Sequence, residues 1–560
     1  MIIGFELVGI LILFAVVWFL PDRINRNIFV RSMSRKFHQF AAHRNWSIVA
    51  VGVVSLSLHL PTLIWGDYPE PSVHDEFCYL LAAETFADGR LTNETHPLWE
   101  HFESFHLLQT PSYMSKYPPG QSLFLALGIR VGGHPVFGVW ISMALASAAV
   151  CWMLQAWVPV RWALFGAMTM TLRLTPGYWG NSYWGGAVAA MGGALLLGAL
   201  RRLISQQRWQ DGMIFGLGLS ILALSRPYEG FVFFLVATSV LMIALVSSNA
   251  FSLKQCLRLS GACIVIPMMA LSWQVYFNYQ VTGDPWKMPY QLHNDQYAAN
   301  PTFFFQSDGE PIPEYRHDAF QKYYHSWERT NYQAFSVNFG WNRELITKLL
   351  NFLRFFVGPA SLVPLLLCVR HYRDRWLIVC LGCCLAVGLA VTQIIYLFPH
   401  YAAPLTAPMT LFQVIGLDNL RVWNPGRKVV GRMMVWGIGC MFVLFQFMPA
   451  WQKGQDFSER SQLVTQLQNI PGQHVVFVHY AEDHNVHKEW VYNHADIDSS
   501  RIVWSRCMSP QQNQRVLDYY SDRQFWLLTF EEMDEAVLSP NTPSFYSQIE
   551  MASPLKSQTH

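Results

Sequence analysis

Three short stretches carry residue types that could do chemistry together. The first is Ser72-Val73-His74-Asp75-Glu76-Phe77-Cys78-Tyr79, which follows an apolar run ending at Trp65. The second is Ser115-Lys116-Tyr117-Pro118-Pro119-Gly120, and the third is Ser225-Arg226-Pro227-Tyr228-Glu229, which interrupts a long apolar run. A carboxylate beside a hydroxyl can take its proton as that hydroxyl becomes a nucleophile. A lysine or arginine fixed at headgroup depth suits a phosphate. Two consecutive prolines fix the backbone and stop a helix from running back through Lys116, so the lysine is held at the start of the next apolar segment. Each stretch also has a plainer reading. Asp75 and Glu76 would sit as solvated acids at a helix start, where the dipole favours them. Arg226 would snorkel from a helix end, although an ionisable residue inside such a run is a functional candidate by default. In the functional reading Arg226 is a second phosphate ligand, with Glu229 paired to it.

Polar and aromatic residues gather around these stretches. The loop that holds Asp75 also contains Trp99, Glu100, His101, Glu103 and His106. A later loop holds Asp284-Pro285-Trp286-Lys287-Met288-Pro289-Tyr290 and His293-Asn294-Asp295-Gln296-Tyr297, a mixture that suits sugar recognition or a loop folded over a site. His400 and Tyr401 open a late apolar segment from the same side. Tyr79, His106, Tyr117, Tyr290, His400 and Tyr401 are thus the candidate substrate contacts. The aromatic segment 176–186, which includes Tyr178, Trp179, Tyr183 and Trp184, reads as an interfacial belt or as a sugar platform. No cofactor is required by these residue types, though Asp75, Glu76 and a nearby histidine could ligate a divalent ion.

Composition says what must position these groups. Of 560 residues only 14% are charged, 52% are hydrophobic and 15% are aromatic. An average globular chain carries about 25% charge, so the chain has too little to cover a water-facing surface of its size. A disordered, fibrous, coiled-coil or nucleic-acid-binding protein is excluded; the solvent is a lipid bilayer. Apolar runs long enough to cross it as helices lie at 2–20, 47–65, 136–158, 162–176, 186–200, 213–224, 230–246, 259–277, 349–369, 376–397, 402–417 and 433–450, about twelve spans. The first has no basic residue before it and no cleavage site after it, so it reads as an uncleaved anchor.

Basic residues are enriched on the cytoplasmic side. They cluster at Arg23, Arg26, Arg31, Arg35, Lys36 and Arg44; at Arg201, Arg202 and Arg208; at Arg370, Arg373 and Arg375; and at Arg421, Arg427, Lys428 and Arg432. Twelve spans place all four clusters on one side. Loops 66–135 and 278–347 and the tail from Trp451 then fall on the exoplasmic side. Most cysteines, including Cys380, Cys383 and Cys384, lie in apolar spans and read as core packing.

With the motifs placed, the chain resembles the GT-C superfamily of membrane glycosyltransferases. The resemblance rests on a span, an Asp-Glu pair in the first exoplasmic loop, a tyrosine three residues later, and a lysine before Pro-Pro. In pattern it is most similar to the protein O-mannosyltransferases and the lipid A aminoarabinose transferases. Tyr117 departs from the latter, where lysine directly precedes the prolines. The Trp-Trp-Asp motif of oligosaccharyltransferases is absent, which argues against en bloc transfer to asparagine. The resemblance implies transfer of a sugar from a polyprenyl-phosphate carrier to a glycan, lipid or protein acceptor on the exoplasmic face. It implies Asp75 as general base, Glu76 as its partner or an acceptor-positioning group, and Lys116 on the lipid phosphate.

From Trp451 the charge fraction rises to about 20%, and buried-strand patterns appear at 475–480, 501–505 and 524–529 with helices at 458–468 and 513–520. This predicts a small exoplasmic α/β domain. Its His479, His484, His487, Glu489, Asp496 and Asp498 match no strong metal-ligand template. The expected division is 1–46, an anchor with a basic loop; 47–450, a GT-C-like catalytic domain; and 451–560, the α/β domain. The expected setting is a bacterial inner membrane. Two rival readings are a transporter or flippase of a lipid-linked glycan, and a polysaccharide polymerase or ligase. The repeats usual in transporters are not visible, and the polar groups cluster in loops instead of at mid-membrane.

Overall fold

The structure, a computed structural model, describes residues 2–19, 28–66, 68–247, 252–303, 306, 312–337, 341–396, 398–423, 430–445, 459–530 and 536–540. Arg23, Arg26, Arg427 and Lys428 lie outside the described residues.

Each of the twelve apolar segments contains a helix. Five helices are long and apolar enough to cross a membrane: Arg44–Trp65, Val136–Leu154, Gly186–Gln206, Pro227–Val246 and Leu253–Thr282. The count rises to six if Ile346–Phe356 and Gly358–His371 form one broken span. Glu6–Phe19, Arg375–Val391 and Val430–Leu444 are apolar but shorter. Length and composition thus support about half of the expected twelve crossings.

The segment expected to cross at 349–369 is sharply bent, its two helices meeting at 95°. Gly358 sits at the corner with φ +63°, a conformation that costs glycine little. A Cβ there would meet the Arg173 guanidinium at 2.2 Å. Arg173 donates to the Phe355 and Val357 carbonyls, which the bend frees, at 3.3 and 2.9 Å, and its Nη1 is 3.0 Å from the Glu6 carboxylate. This buried pair ties the first helix to the corner. Inside an apolar bundle, such a charge persists only when paired.

The basic stretch after the first helix is not simply a loop, because Ile28–Ala42 forms a helix carrying Arg31, Arg35 and Lys36.

Loop 66–135 folds into the helices His74–Ala87, Trp99–Phe102 and Gly120–Gly132 with a small hairpin of Leu107–Leu108 against Met114–Ser115. The tail forms a four-stranded sheet in which His474–His479 lies between Ile502–Arg506 and Gln524–Phe530, parallel to both. The three expected strands and both helices, Glu459–Gln468 and Pro510–Tyr519, are present. Ala536–Pro540, which the pattern did not suggest, adds an antiparallel edge. The tail shares a hydrophobic core with loop 66–135: Cys78, Leu81, Phe102 and Tyr113 pack with Val475, Phe477, Val503 and Leu527. Position 451 therefore marks a change in composition, while packing joins the two pieces.

Candidate active site

Asp75 and Glu76 open the helix His74–Ala87, where an acid in the first turn is favoured by the dipole. Their side chains nevertheless serve different purposes. Glu76 is buried, and its carboxylate accepts from the Ser72 N–H at 2.9 Å and the Tyr183 N–H at 2.9 Å. Both oxygens are thus engaged in holding the loop before the helix against segment 176–186. Asp75 keeps 21% of its side chain open. Its Oδ1 accepts from the Tyr117 hydroxyl at 2.6 Å and lies 3.6 Å from His106 Nε2.

The hairpin explains how the lysine meets the histidine that faces this carboxylate. Its paired strands bring the flanking residues 106 and 116 side by side, with Lys116 N–H donating to the His106 carbonyl at 3.2 Å. His106 takes a left-handed φ of +64°, a conformation that costs a non-glycine residue about 1–3 kcal/mol. That turn aims its ring inward. The Lys116 ammonium donates to His106 Nδ1 at 2.8 Å. An ammonium has only donors, so the ring proton resides on Nε2, facing Asp75 and the Tyr323 oxygen at 3.2 Å. The tyrosine between Lys116 and the two prolines faces Asp75 and stacks on Tyr79 with centroids 4.9 Å apart.

The other expected contacts converge here. Tyr290 opens the helix Pro289–Tyr297, and its ring lies 5.1 Å from the Lys116 nitrogen. Arg226 caps the helix Trp209–Ser225 before the chain resumes as Pro227–Ser247, and its guanidinium lies 4.8 Å from the Tyr401 ring. His400 hydrogen-bonds to the Tyr178 hydroxyl and packs 4.3 Å from Trp184. Glu229 is buried and feels the Arg226 charge. Segment 176–186 fits neither of its expected readings: Trp179, Tyr183 and Trp184 are buried, with Tyr183 under the acid helix. A belt or an open platform would need exposed rings.

Burial shapes the electrostatics. It pushes the Asp75 carboxyl above the usual carboxylate range, against the opposing pull of the Tyr117 hydrogen bond and of the Lys116 and Arg226 charges. Burial also lowers Lys116, although Asp75 and Glu328 act to raise it. His106 is held well below its usual value by burial and then by Lys116, and His293 likewise. Burial lowers His74 to about 3 and raises Glu328 to about 6. Burial thus favours the neutral form of the imidazoles and also works against the charge on Lys116.

Several of these groups escaped the sequence reading. His74 adjoins Asp75, donates or accepts with the Tyr492 hydroxyl at 2.8 Å, and so links the acid helix to the tail. Tyr323, Tyr324 and Glu328 lie on the π-helical turn Gln321–Glu328, a winding frequent at functional sites that no 3.6-residue pattern reveals. His487, one of the tail histidines, packs 5.8 Å from Tyr323 and 6.0 Å from His74.

Among the described residues no three His, Cys, Asp or Glu side chains gather as a ligand set. Lys116 occupies one ring nitrogen of His106, and the Glu76 oxygens are engaged as above. In the tail, Glu489 pairs with Arg506 at 2.6 Å, Asp498 accepts from Tyr520 at 2.6 Å, and His484 bonds the Lys488 carbonyl at 3.0 Å.

No family model matches the chain, and no curated protein matches it in sequence. Among solved structures, it is similar to the Archaeoglobus fulgidus oligosaccharyltransferase tethered to an acceptor peptide, at TM-score 0.48 and 10% identity over 92% of this chain and 75% of that one. It is also similar to ArnT from Cupriavidus metallidurans in the apo state, at TM-score 0.48 and 12% identity over 88% and 94% of the two chains. The same ArnT bound to undecaprenyl phosphate gives TM-score 0.47 and 12% identity over 88% and 93%. Both proteins are members of the GT-C superfamily that the motifs resemble. At these identities and TM-scores the likenesses assign no residue and no reaction.

Proposed function

We propose that the chain is an integral-membrane glycosyltransferase that moves one sugar from a polyprenyl-phosphate carrier to an acceptor hydroxyl on the exoplasmic face. The observation that carries this reading is the pairing of an accessible, hydrogen-bonded carboxylate, Asp75, with two cations whose charges reach it, Lys116 and Arg226. A base with a raised pKa takes a proton more readily than an ordinary carboxylate, and its residual exposure leaves room for an acceptor.

In this reading Asp75 removes the acceptor's proton as the acceptor oxygen bonds to the anomeric carbon. The bond from that carbon to the phosphate oxygen breaks, and its electron pair leaves with the lipid phosphate. Lys116 and Arg226 meet the charge that grows there. Attack opposite the leaving group inverts the anomeric centre in one displacement, so no second acid acts as nucleophile. His106 is a positioning residue that holds the lysine on one ring nitrogen and faces Asp75 with the other. Tyr79, Tyr117, Tyr290, His400 and Tyr401 line the donor and acceptor space. Glu76 positions the acid helix through Ser72 and Tyr183. The division at residues 46 and 450, a crossing count of about twelve and an exoplasmic tail in a bacterial inner membrane belong to the same reading.

The test is sugar transfer by the full chain in proteoliposomes. Asp75→Asn is expected to abolish transfer while retaining binding of the polyprenyl-phosphate sugar. Full activity in that variant would overturn the assignment of the base.

A further inference from the structure

A cavity of about 200 Å³ lies outside the Asp75 site, among the exoplasmic loops. Trp99, Tyr297, Tyr315 and Phe320 supply aromatic surface, and Gln296, Glu314 and Arg316 supply polar groups. Drug-sized ligands occupy about 300–1,000 Å³, so this space suits a single small ring.

Its walls are held rigidly. The Arg316 guanidinium lies 4.6 Å from the Trp99 ring and 3.5 Å from the Glu103 carboxylate. Tyr297 donates to Glu103 at 2.7 Å, and the Tyr315 hydroxyl donates to the Tyr297 carbonyl at 2.9 Å. Gln296 braces the wall: it donates its amide N–H to the Thr110 carbonyl at 3.1 Å, and its side-chain oxygen is fully enclosed, with no partner among the described residues. One group has capacity to spare: Glu314 is exposed and forms no hydrogen bond or ion pair among the described residues. An unused acceptor beside flat aromatic surfaces calls for a ligand with hydroxyl donors and an apolar face. A pyranose ring has both. The unpaired Glu314, with Glu103 close by, disfavours an acidic or phosphorylated sugar.

The cavity is one aromatic layer away from the reacting groups. Tyr297 stacks on Tyr324 at 6.0 Å, and the Tyr324 hydroxyl is 3.4 Å from His106 Nδ1. A ring seated here could not itself react at Asp75. It would belong to a longer molecule that extends past the Tyr297–Tyr324 wall.

We propose that the cavity lined by Trp99, Tyr297, Tyr315 and Arg316 is a saccharide subsite that seats one neutral or amino pyranose of an oligosaccharide acceptor. Its assignment to the acceptor rests on the transferase reading; its capacity to hold a pyranose does not.

Saturation-transfer NMR on the full chain in lipid nanodiscs tests this, since maltoside detergents would themselves fill the site. The probes are methyl glucoside, methyl glucosaminide and methyl glucuronide. Transfer to the glucoside or the glucosaminide is expected, with the glucuronide weaker. Trp99→Leu and the milder Glu314→Leu are expected to weaken binding, the former about tenfold, with the melting temperature of the exposed Glu314 variant unchanged. Asp75→Asn is expected to leave binding intact, which separates this proposal from the assignment of the base. Absence of transfer to both the glucoside and the glucosaminide, preference for the glucuronide, or equal transfer in wild type and both cavity variants would overturn the subsite.

Discussion

The helical bundle and the unit formed by loop 66–135 with the tail obey opposite rules of burial. Along the bundle, outward positions are apolar: Ile243, Val246, Leu366, Leu385 and Leu389 are all exposed. In the loop-and-tail unit the buried positions include Glu76, Glu103, Lys116, Glu489 and Arg506. In lipid an exposed leucine costs nothing, whereas a charge must be paired, as Glu6 is with Arg173. Outside the membrane, water pays for surface charge, and buried charges persist only where hydrogen bonds satisfy them. Within the loop-and-tail unit the same contrast recurs at one dipeptide: Glu76 is fully engaged, while Asp75 stays partly open.

Exchanging the roles of those neighbours is the sharpest way to break the contrast. Asp75→Asn should lower transfer by about 10²–10⁴-fold, the usual contribution of general base catalysis, with little change in melting temperature. Glu76→Leu should do the reverse in kind. It leaves the Ser72 and Tyr183 N–H groups without acceptors, at about 1–3 kcal/mol each, so the melting temperature falls and activity follows it. Equal melting temperatures in the two variants would erase the distinction.

The buried pair Arg506–Glu489 probes the rule of the loop-and-tail unit next. Arg506→Met strands the Glu489 carboxylate and should cost about 3–5 kcal/mol, read as loss of the folded tail in thermal or denaturant melts. Adding Glu489→Leu should recover part of that loss. No recovery would mean that the pair acts through more than its charge balance.

Lys116→Ala should weaken donor binding about tenfold, within the range for a charge-assisted hydrogen bond, and Arg226→Ala should do likewise. Donor affinity unchanged in both would remove the phosphate site.

The pH profile of transfer should be bell-shaped. The base works as a carboxylate, so activity rises as pH climbs through the Asp75 pKa, which burial places above the ordinary carboxylate range. The cation works protonated, so activity falls as pH climbs through the Lys116 pKa, which burial places below that of free lysine. Tyr117→Phe removes a hydrogen bond that lowers the Asp75 pKa and should move the acid limb to higher pH. An acid limb that stays in place in that variant would separate it from Asp75.

Orientation gives the smallest signal. Asp483→Cys, on an exposed turn, should react with an impermeant maleimide in intact spheroplasts. The native Cys507 should react slowly, because it is half-buried and its thiol is pushed up to about 11. Protection of the Asp483→Cys thiol would invert the topology.

Much of this architecture was legible in the chain. Apolar periodicity and length located a helix in all twelve apolar segments, and the strand patterns located three of the four tail strands. Ala536–Pro540 was missed because it is short, does not alternate and ends in proline, which weakens a strand pattern. The residues gathered around Asp75 were legible as types, since Lys116 before two prolines and Arg226 in an apolar run are rare choices. Tyr323, Tyr324, Glu328 and His487 were not, because their approach depends on a π turn and on the tail packing against the first loop.

The sequence alone pointed to a lipid-embedded, mostly helical chain, because transfer free energy follows residue composition and run length. It also determined which side chains could carry a proton or meet a phosphate. Only the tertiary structure decided that Asp75 stays open while Glu76 is engaged, that His106 connects Lys116 to Asp75, and that the tail completes the core behind them. Those outcomes depend on distances of about 3 Å between residues far apart in the chain, and hydrogen bonds and desolvation act only over that range.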